Sequence, residues 1–180
     1  MSMRRTTTAA LNVPAADVDL EGWLFGLSDE DYRACARGHH GAGTYNDEHG
    51  RGMVNVESIG GNLIVQHYRP VRAGHGDVEM YSQASRIYLF HLVPVRGSVR
   101  WWLKATPKTD SSSEFTCTVQ VDLHPVLRVL GMFMAAGWFL KCHVAEETAG
   151  FVADIARKRG AARPSPVPAG RRLDDEPPGA

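Results

Sequence analysis

A chain of 180 residues carries 20 Lys plus Arg against 20 Asp plus Glu, so its formal net charge is zero. The length suits one domain with a sizeable core. The zero net charge excludes a global field that would draw the protein to nucleic acid or anionic membranes.

Cysteine usage and hydropathy indicate the compartment. Cys35, Cys117 and Cys142 have no CxxC spacing, which predicts buried free thiols in a reducing environment. The N-terminus has no apolar stretch of signal-peptide length, and no segment approaches the ~20 apolar residues of a membrane span. We therefore expect a cytoplasmic protein with no membrane span and no nucleic-acid partner.

The first third of the chain predicts one strand and one or two short helices. Thr6 to Val13 is rich in β-branched residues and ends at a proline, as a strand does before a turn. Asp19 to Ala36 has leucines at helical spacing. Segment 38–52 holds five glycines, which favours a loop around a short strand at Thr44 and Tyr45.

From residue 53 to 123 the chain alternates between strand and turn signals. Met53 to Ile59 and Leu63 to Arg69 flank Gly60-Gly61-Asn62, which is a hairpin signal. Four further runs continue the pattern: Val78 to Ser82, Arg86 to Val93, Val99 to Thr106 and Glu114 to Leu123. About six or seven antiparallel strands with one buried face are expected.

A long helix is predicted from about Pro125 to Lys158, and its apolar stripe can cover the buried face of the sheet. Residues 160–180 hold five of the ten prolines and almost no large apolar side chain, which predicts a disordered tail. The expected fold is therefore α+β, with a curved antiparallel sheet wrapped around a long C-terminal helix. It forms one ligand-binding domain over residues 1–159.

This order of elements resembles the START-like helix-grip superfamily (SRPBCC), which includes polyketide cyclases, aromatase/cyclases and lipid or hormone carriers. The likeness covers roughly residues 6–159. LNVPAADV looks like the entry to the family's first helix, and HPVLRVLGMFMAAGWFLKCHVAEETAGFVADIARK looks like its closing helix. The resemblance implies an apolar cavity between sheet and helix, and it leaves the reaction open.

Strand alternation selects three candidate catalytic residues: His67, His91 and Glu57. Each histidine shares a strand face with aliphatic residues, so each could be an acid or base in a pocket, or a core histidine bonded to a neighbour. A carboxylate in an apolar cavity would have a raised pKa and could move a proton, whereas the alternative is a solvent-facing Glu57. If the protein is an enzyme rather than a carrier, these residues would support acid–base chemistry of the cyclase or dehydratase type without a metal.

The candidate ligand-binding residues are polar and aromatic side chains of the strands and small or apolar residues of the helix. Tyr45 and Tyr88 could donate hydrogen bonds to a carbonyl group. Of the adjacent Trp101 and Trp102, one is expected to pack against the helix, and the other, if exposed, could mark a dimer surface or a sheet–sheet contact. The full set is Asn55, Tyr45, Tyr88, Trp101, Phe133, Gly137 and Leu140.

Two groups of possible metal ligands are present, and neither matches a metal-binding pattern. The glycine-rich segment contains the denser group, which is interpreted as a polar rim of the cavity: His39, His40, Tyr45, Asp47, Glu48 and His49. His143 and Glu147 are four residues apart on the helix but lack the second histidine of HExxH, so they are interpreted as a helix-surface pair or as partners of a hydrogen bond. With no phosphate-binding or dinucleotide-binding fingerprint either, we expect no metal and no cofactor.

Two functions stay open. The favoured one is binding of an apolar polyketide, aromatic or acyl/lipid-like small molecule between sheet and helix, as a carrier or as an enzyme, because a few polar residues among apolar ones are typical of ligand pockets. The alternative is an interaction module such as a homodimer, indicated by the paired tryptophans and the proline-rich tail.

Overall fold

Seven antiparallel strands form a single sheet in the computed structural model, which describes residues 2–126 and 135–162. The strands are β1 (Met3–Leu11), β2 (His39–Asp47), β3 (Gly50–Ile59), β4 (Asn62–Ala73), β5 (Asp77–Leu89), β6 (Val93–Thr109) and β7 (Ser112–Leu123). Their order in the sheet is β1-β7-β6-β5-β4-β3-β2. The first strand therefore pairs with the last, and β1 and β2 form the two edges.

The helices cover one face of this sheet. Two short helices, α1 (Leu20–Phe25) and α2 (Asp29–Cys35), follow β1, and the long helix α3 (Ala136–Ala162) comes after β7. The side chains of Asp19 and Ser28 cap α1 and α2 by accepting backbone N–H groups at 2.9 and 3.1 Å. Helix α3 packs against α2, β1, β7 and β3, so the core lies between it and the face that we call the inner face.

The inner face carries the large buried side chains. Trp101 of β6, Phe115 of β7 and Phe151 of α3 are all at most 1% exposed. Gly150 lets α3 approach α2, because a Cβ at this position would collide with the backbone of Cys35. This close packing holds α3 in a defined position opposite the sheet.

The predicted helix-grip α+β fold is confirmed. Its hairpin at Gly60-Gly61 is also confirmed, since Met53 to Ile59 pair with Asn62 to Tyr68. The two glycines have φ values of 57° and 79°, which a two-residue hairpin turn requires at both positions.

Two predicted boundaries are wrong. Segment 38–52 is not a loop around a short strand; it forms the edge strand β2 and the start of β3, because pairing with β3 outweighs the low strand propensity of its glycines. The runs Val78–Ser82 and Arg86–Val93 are not separate strands either. They belong mainly to one strand, β5, whose pairing with β6 shifts register between Ser82 and Ser85.

The C-terminal predictions are tested only in part. The helix predicted from about Pro125 corresponds to α3 from Ala136 onward, whereas residues 127–134 lie outside the described part of the chain. So do residues 163–180, which make up most of the predicted tail, and the division into a domain and a tail stays a prediction. No helix in the described ranges combines the length and apolarity needed to cross a membrane.

Candidate functional site

Four ionisable side chains meet between the sheet and α3, and we call them the inner cluster: His39, Glu57, His143 and Glu147. Each residue is at most 7% exposed. One nitrogen or oxygen atom from each side chain lies within 4.8 Å of those of the other three. Because buried charges are costly unless they are paired, such a group marks a candidate functional site.

Strands β2 and β3 and helix α3 bring the inner cluster together. His39 begins β2 and lies opposite Glu57 of β3 in the strand register. His143 and Glu147 are four residues apart on α3 and therefore share one helix face. A Cβ added at Gly38 would lie 2.6 Å from the carbonyl oxygen of Ser58 and 3.1 Å from Nδ1 of His143, so a glycine before β2 permits close approach of both β3 and the helix.

Glu57 is the centre of the hydrogen bonds in the cluster. Nε2 of His143 lies 3.1 Å from its Oε2 atom, and the hydroxyl of Tyr32 donates to the same oxygen at 3.3 Å. The side-chain amide of Gln66 donates to the other oxygen, Oε1. Both carboxylate oxygens of a fully buried glutamate are thus satisfied.

The charges of this pair stabilise each other. Burial alone would raise the pKa of Glu57, but His143 and His39 outweigh burial and hold it below its usual range. Burial likewise disfavours the charged form of His143, yet Glu57 outweighs it and raises the pKa of His143 to about 9. At neutral pH, Glu57 is therefore a carboxylate and His143 an imidazolium.

His39 is held in one orientation by Tyr32. Its Nδ1 atom lies 2.7 Å from the Tyr32 carbonyl oxygen, which can only accept, so Nδ1 carries a hydrogen. Its Nε2 atom is 3.6 Å from Oε1 of Glu147 and 3.8 Å from Oε2 of Glu57, distances too long for a hydrogen bond. Burial opposes the charged form of His39, but Glu147 and Glu57 outweigh it and raise the pKa.

A small space of about 10 Å³ adjoins the inner cluster, and Asn55, Tyr68, Trp101 and Val119 complete its lining. This is close to the room that one water molecule needs. Asn55 Oδ1 is buried and has no hydrogen-bond partner among the described residues. A typical ligand pocket is larger, about 300–1,000 Å³, so a ligand-sized cavity stays a prediction.

No protein-family model and no curated protein matches the chain, whereas solved structures do. A START superfamily protein from Mycobacterium smegmatis aligns with a TM-score of 0.53 and 16% identity, over 84% of this chain and 98% of that one. The Zhui aromatase/cyclase from a Streptomyces species aligns with a TM-score of 0.54 and 10% identity, over 89% of this chain and 94% of that one. A conserved protein from Geobacillus kaustophilus aligns with a TM-score of 0.59 and 11% identity, over 86% of this chain and 96% of that one.

The chain has a START-like helix-grip fold. Identities this low establish a shared fold and say nothing of a shared reaction. Within this START-like fold, the inner cluster lies where the sheet faces the C-terminal helix. The chemistry of the cluster therefore depends on its own four residues.

Three predicted site residues lie at the inner cluster. Glu57 belongs to it, and Asn55 and Trp101 line the adjoining space. Glu57 is buried, so its alternative interpretation as a solvent-facing residue is wrong. Its expected raised pKa is also wrong, because two histidines lie beside the carboxylate in place of apolar groups alone.

The two interpretations of His67 and His91, a pocket residue or a core residue, both need an inward side chain, and the structure places both side chains at the surface. Gln66 and Tyr68 point inward, so alternation turns His67 to the opposite face of β4, where it is exposed. His91 lies in the turn between β5 and β6 with a φ of 62°, and it is also exposed. Neither imidazole reaches the inner cluster.

His67 and Tyr88 line a different depression, on the sheet face opposite the helices, which we call the outer groove. Its volume is about 590 Å³, and its polar lining includes His67, Arg69, Tyr81, Arg86, Tyr88 and Arg96. Tyr45 is separate from both sites. It lies on the edge strand β2, beside a surface groove of about 420 Å³ that Phe25 and Arg51 also line.

The structure describes two of the three helix residues in the predicted ligand-binding set. Leu140 is buried in the core. The carbonyl oxygen of Gly137 accepts a hydrogen bond from Nε of Arg5 at 3.0 Å, so it has a protein partner. Phe133 lies outside the described residues.

The interpretation of His143 and Glu147 as a helix-surface pair is wrong, because their face of α3 packs on the sheet. A sequence signal for this was available. Val144, Thr148 and Phe151 recur at helical spacing beside them and are all buried. His39 has no such signal, since the glycines around it favour a loop in the sequence.

An apolar rim lies at one end of the helix, formed by exposed residues of α3 and of the β5–β6 turn: Trp138, Phe139, Phe90 and Leu92. The two parts meet at the β3–β4 turn. A Cβ on Gly60 would collide with Phe139, and the backbone N–H of Phe90 donates to Oδ1 of Asn62 at 3.2 Å. Phe139 precedes His143 by four residues, so the apolar rim is one helical turn from the inner cluster.

Proposed function

We propose that the protein binds an apolar small molecule of the polyketide, aromatic or acyl/lipid-like type between the sheet and α3, with a polar group of the ligand at the inner cluster. The observation that carries this proposal is the burial of four ionisable side chains at the sheet–helix interface. Replacing a buried ion pair by well-packed apolar side chains often leaves a protein equally stable or stabilises it by about 1–4 kcal/mol. The stability of the fold therefore does not account for the cluster.

The apolar rim supports the same proposal. Exposed aromatic side chains at Phe90, Trp138 and Phe139 offer an apolar surface one helical turn from the inner cluster. A ligand whose polar group meets Glu57 and His143 would have its apolar body directed along α3 towards this rim. The aromatase/cyclase among the similar structures has the same fold, which makes a polyketide-like ligand a natural first choice for screening.

If the protein is an enzyme, the Glu57–His143 pair is the proposed acid–base machinery. The Glu57 carboxylate would remove a proton next to a carbonyl group, and the His143 imidazolium would donate a proton to the carbonyl oxygen. The proton that Glu57 takes up could then pass to His143 and restore the pair, since Nε2 and Oε2 are 3.1 Å apart. His67 and His91 have no part in this proposal because both are remote from the cluster.

Native mass spectrometry of freshly purified protein, followed by organic extraction, tests the proposal. We expect a discrete apolar molecule to co-purify, and we expect Glu57→Gln to weaken its binding at least about 10-fold, as loss of a charge-assisted hydrogen bond does. The control His67→Gln changes a residue of the outer groove and should bind normally. Wild-type protein that neither carries such a molecule nor binds any in a screen of polyketide, aromatic and acyl compounds would contradict the proposal.

The second candidate is an interaction module that uses the apolar rim. The rim favours it, whereas the paired tryptophans no longer do: Trp101 is 1% exposed and Trp102 is half-buried under the guanidinium of Arg4, 4.8 Å away. Sedimentation velocity decides between the two. A ligand-free dimer that Trp138→Ser dissociates would favour the module, and a monomer at high concentration would remove it.

A further inference from the structure

We propose that the inner cluster binds one divalent transition-metal ion, with His39, Glu57, His143 and Glu147 as its ligands. This inference goes beyond the proposed small-molecule binding and does not depend on it, because an ion can bind with no organic molecule present. Two imidazoles and two carboxylates form a donor set that suits Zn²⁺ and Fe²⁺. Zn²⁺ is the probe for the test below.

The spacing of the donor atoms fits a small coordination sphere. In a tetrahedral site with bonds of about 2.0–2.1 Å, neighbouring ligand atoms are about 3.3 Å apart. Here Nε2 of His143 is 3.1 Å from Oε2 of Glu57, and Nε2 of His39 is 3.6 Å from Oε1 of Glu147. No pair in the cluster exceeds 4.8 Å, so the longest separation has to shorten by about 1.5 Å to reach the tetrahedral spacing.

His39 gives a second, independent indication. The Tyr32 carbonyl holds a hydrogen on Nδ1, so in the neutral ring the lone pair belongs to Nε2. This Nε2 atom is buried, faces both carboxylates, and has no hydrogen-bond partner among residues 2–126 and 135–162. Leaving a buried polar atom unsatisfied is costly. A metal ion between the imidazole and the carboxylates removes this cost.

Charge balance points the same way. Glu57 and Glu147 bring two negative charges into the core, and the described residues that pair with them are histidines, not lysines or arginines. One divalent cation with two neutral imidazoles makes the whole group neutral. A bound ion would take the place of the proton on Nε2 of His143, so the acid–base role proposed above for His143 applies to the metal-free protein.

Neighbouring groups orient the proposed ligands, as outer-shell residues do in metal sites. Nδ1–H of His39 donates to the Tyr32 carbonyl at 2.7 Å, and Gln66 donates to Oε1 of Glu57. The thiol of Cys117 donates to Oε2 of Glu147 at 3.6 Å. The adjoining space of about 10 Å³ is large enough for one further small ligand, such as water.

The test uses the full chain, stripped of metal with a chelator, reloaded with Zn²⁺ and desalted in the presence of a weak competing chelator. Metal analysis should find one Zn²⁺ per chain. Glu147→Gln and His39→Gln keep the side-chain size and remove one ligand each. Both should weaken Zn²⁺ at least about 100-fold, since even outer-shell changes cost about 10–100-fold.

Two matched controls separate this site from the surface histidines. His67→Gln in the outer groove and His49→Gln on an exposed turn should leave Zn²⁺ binding unchanged. The proposal is overturned if folded wild-type protein retains no Zn²⁺. It is also overturned if only the control substitutions reduce the amount of Zn²⁺ retained. Retention that the two cluster substitutions leave intact overturns it as well.

A spectroscopic measurement keeps the proposal testable if the cluster variants fail to fold. Co²⁺ added to the wild-type chain should give the visible absorption of a four-coordinate site with nitrogen and oxygen ligands. A spectrum identical to that of the free aqueous ion overturns the proposal. Because no organic ligand is present in these experiments, failure here leaves the proposed small-molecule binding standing, and the reverse also holds.

Discussion

The two faces of β4 carry similar side chains in very different surroundings. Gln66 is 1% exposed and donates to Glu57 of the inner cluster, whereas the next residue, His67, is exposed in the outer groove. Under α3, both partners of the charged pair Glu57–His143 are buried, and each shifts the pKa of the other. In the outer groove, solvent and salt screen the same kind of interaction.

The size of a depression is therefore a poor guide to function in this protein. The outer groove has a volume of about 590 Å³ and three arginines, against about 10 Å³ at the inner cluster. Yet the inner cluster contains the buried carboxylates and histidines that can move protons or bind a cation. The two faces of the sheet differ in chemistry mainly because helix α3 covers one of them, and less because of the residue types in the strands.

The largest expected difference between the faces follows from Glu57→Gln. The substitution leaves His143 and His39 without the carboxylate that pairs with them, and breaking a buried pair costs about 3–5 kcal/mol. We expect a loss of unfolding free energy near the lower end of this range, because His143 can release its proton. Urea unfolding at pH 7 with a chelator present measures it.

The matched substitution on the other face is His67→Gln. Its side chain is exposed, so we expect a change within about 0.5 kcal/mol. Equal losses for the two variants would show that burial under α3 does not distinguish the two faces in energy.

The next effect is a pH dependence that only the inner cluster should produce. The pKa of His143 rises to about 9 in the folded chain because Glu57 outweighs burial, against about 6.5 in the unfolded chain. The stabilisation is therefore fully present below about pH 6.5 and is lost as the pH rises towards about 9. Its size is on the order of 1–3 kcal/mol.

Urea unfolding of metal-free protein at several pH values between 6 and 9 tests this dependence. His143→Gln should flatten the decline, whereas His67→Gln should leave it unchanged. A His143→Gln variant with the wild-type slope would assign the decline to another group.

Two glycines extend the comparison to the two sides of α3. Gly150 faces the Cys35 backbone, so Gly150→Ala forces α3 away from α2 and should cost about 1–3 kcal/mol. Gly160 lies in the same helix with open space around it, and Gly160→Ala should stabilise by up to about 1 kcal/mol because alanine is the better helix former. Thermal unfolding of both variants checks the opposite signs; a shared sign would contradict the packing of α3 on α2.

The sequence alone predicts the features that depend on residues close together along the chain. The turn at Gly60-Gly61 and the strand alternation are local, and both were predicted. The face to which His67 points depends on where α3 packs, which alternation alone cannot decide. The pair His143–Glu57 joins residues 86 positions apart, and His39 joins them only because its glycine-rich segment becomes a strand.

Thiol chemistry offers the mildest test of burial, because it changes no side chain that holds the fold. Cys35 and Cys117 are buried, and burial raises the pKa of Cys35 to about 12 and that of Cys117 well above its usual range. Cys142 is exposed, contrary to the expectation that all three thiols are buried. A disulfide reagent at pH 8 should therefore label one thiol of three quickly and the other two only after unfolding, since only an accessible thiolate reacts. Cys142→Ala should remove the fast phase, whereas a fast phase of two thiols would show that the interface beneath α3 opens in the folded state.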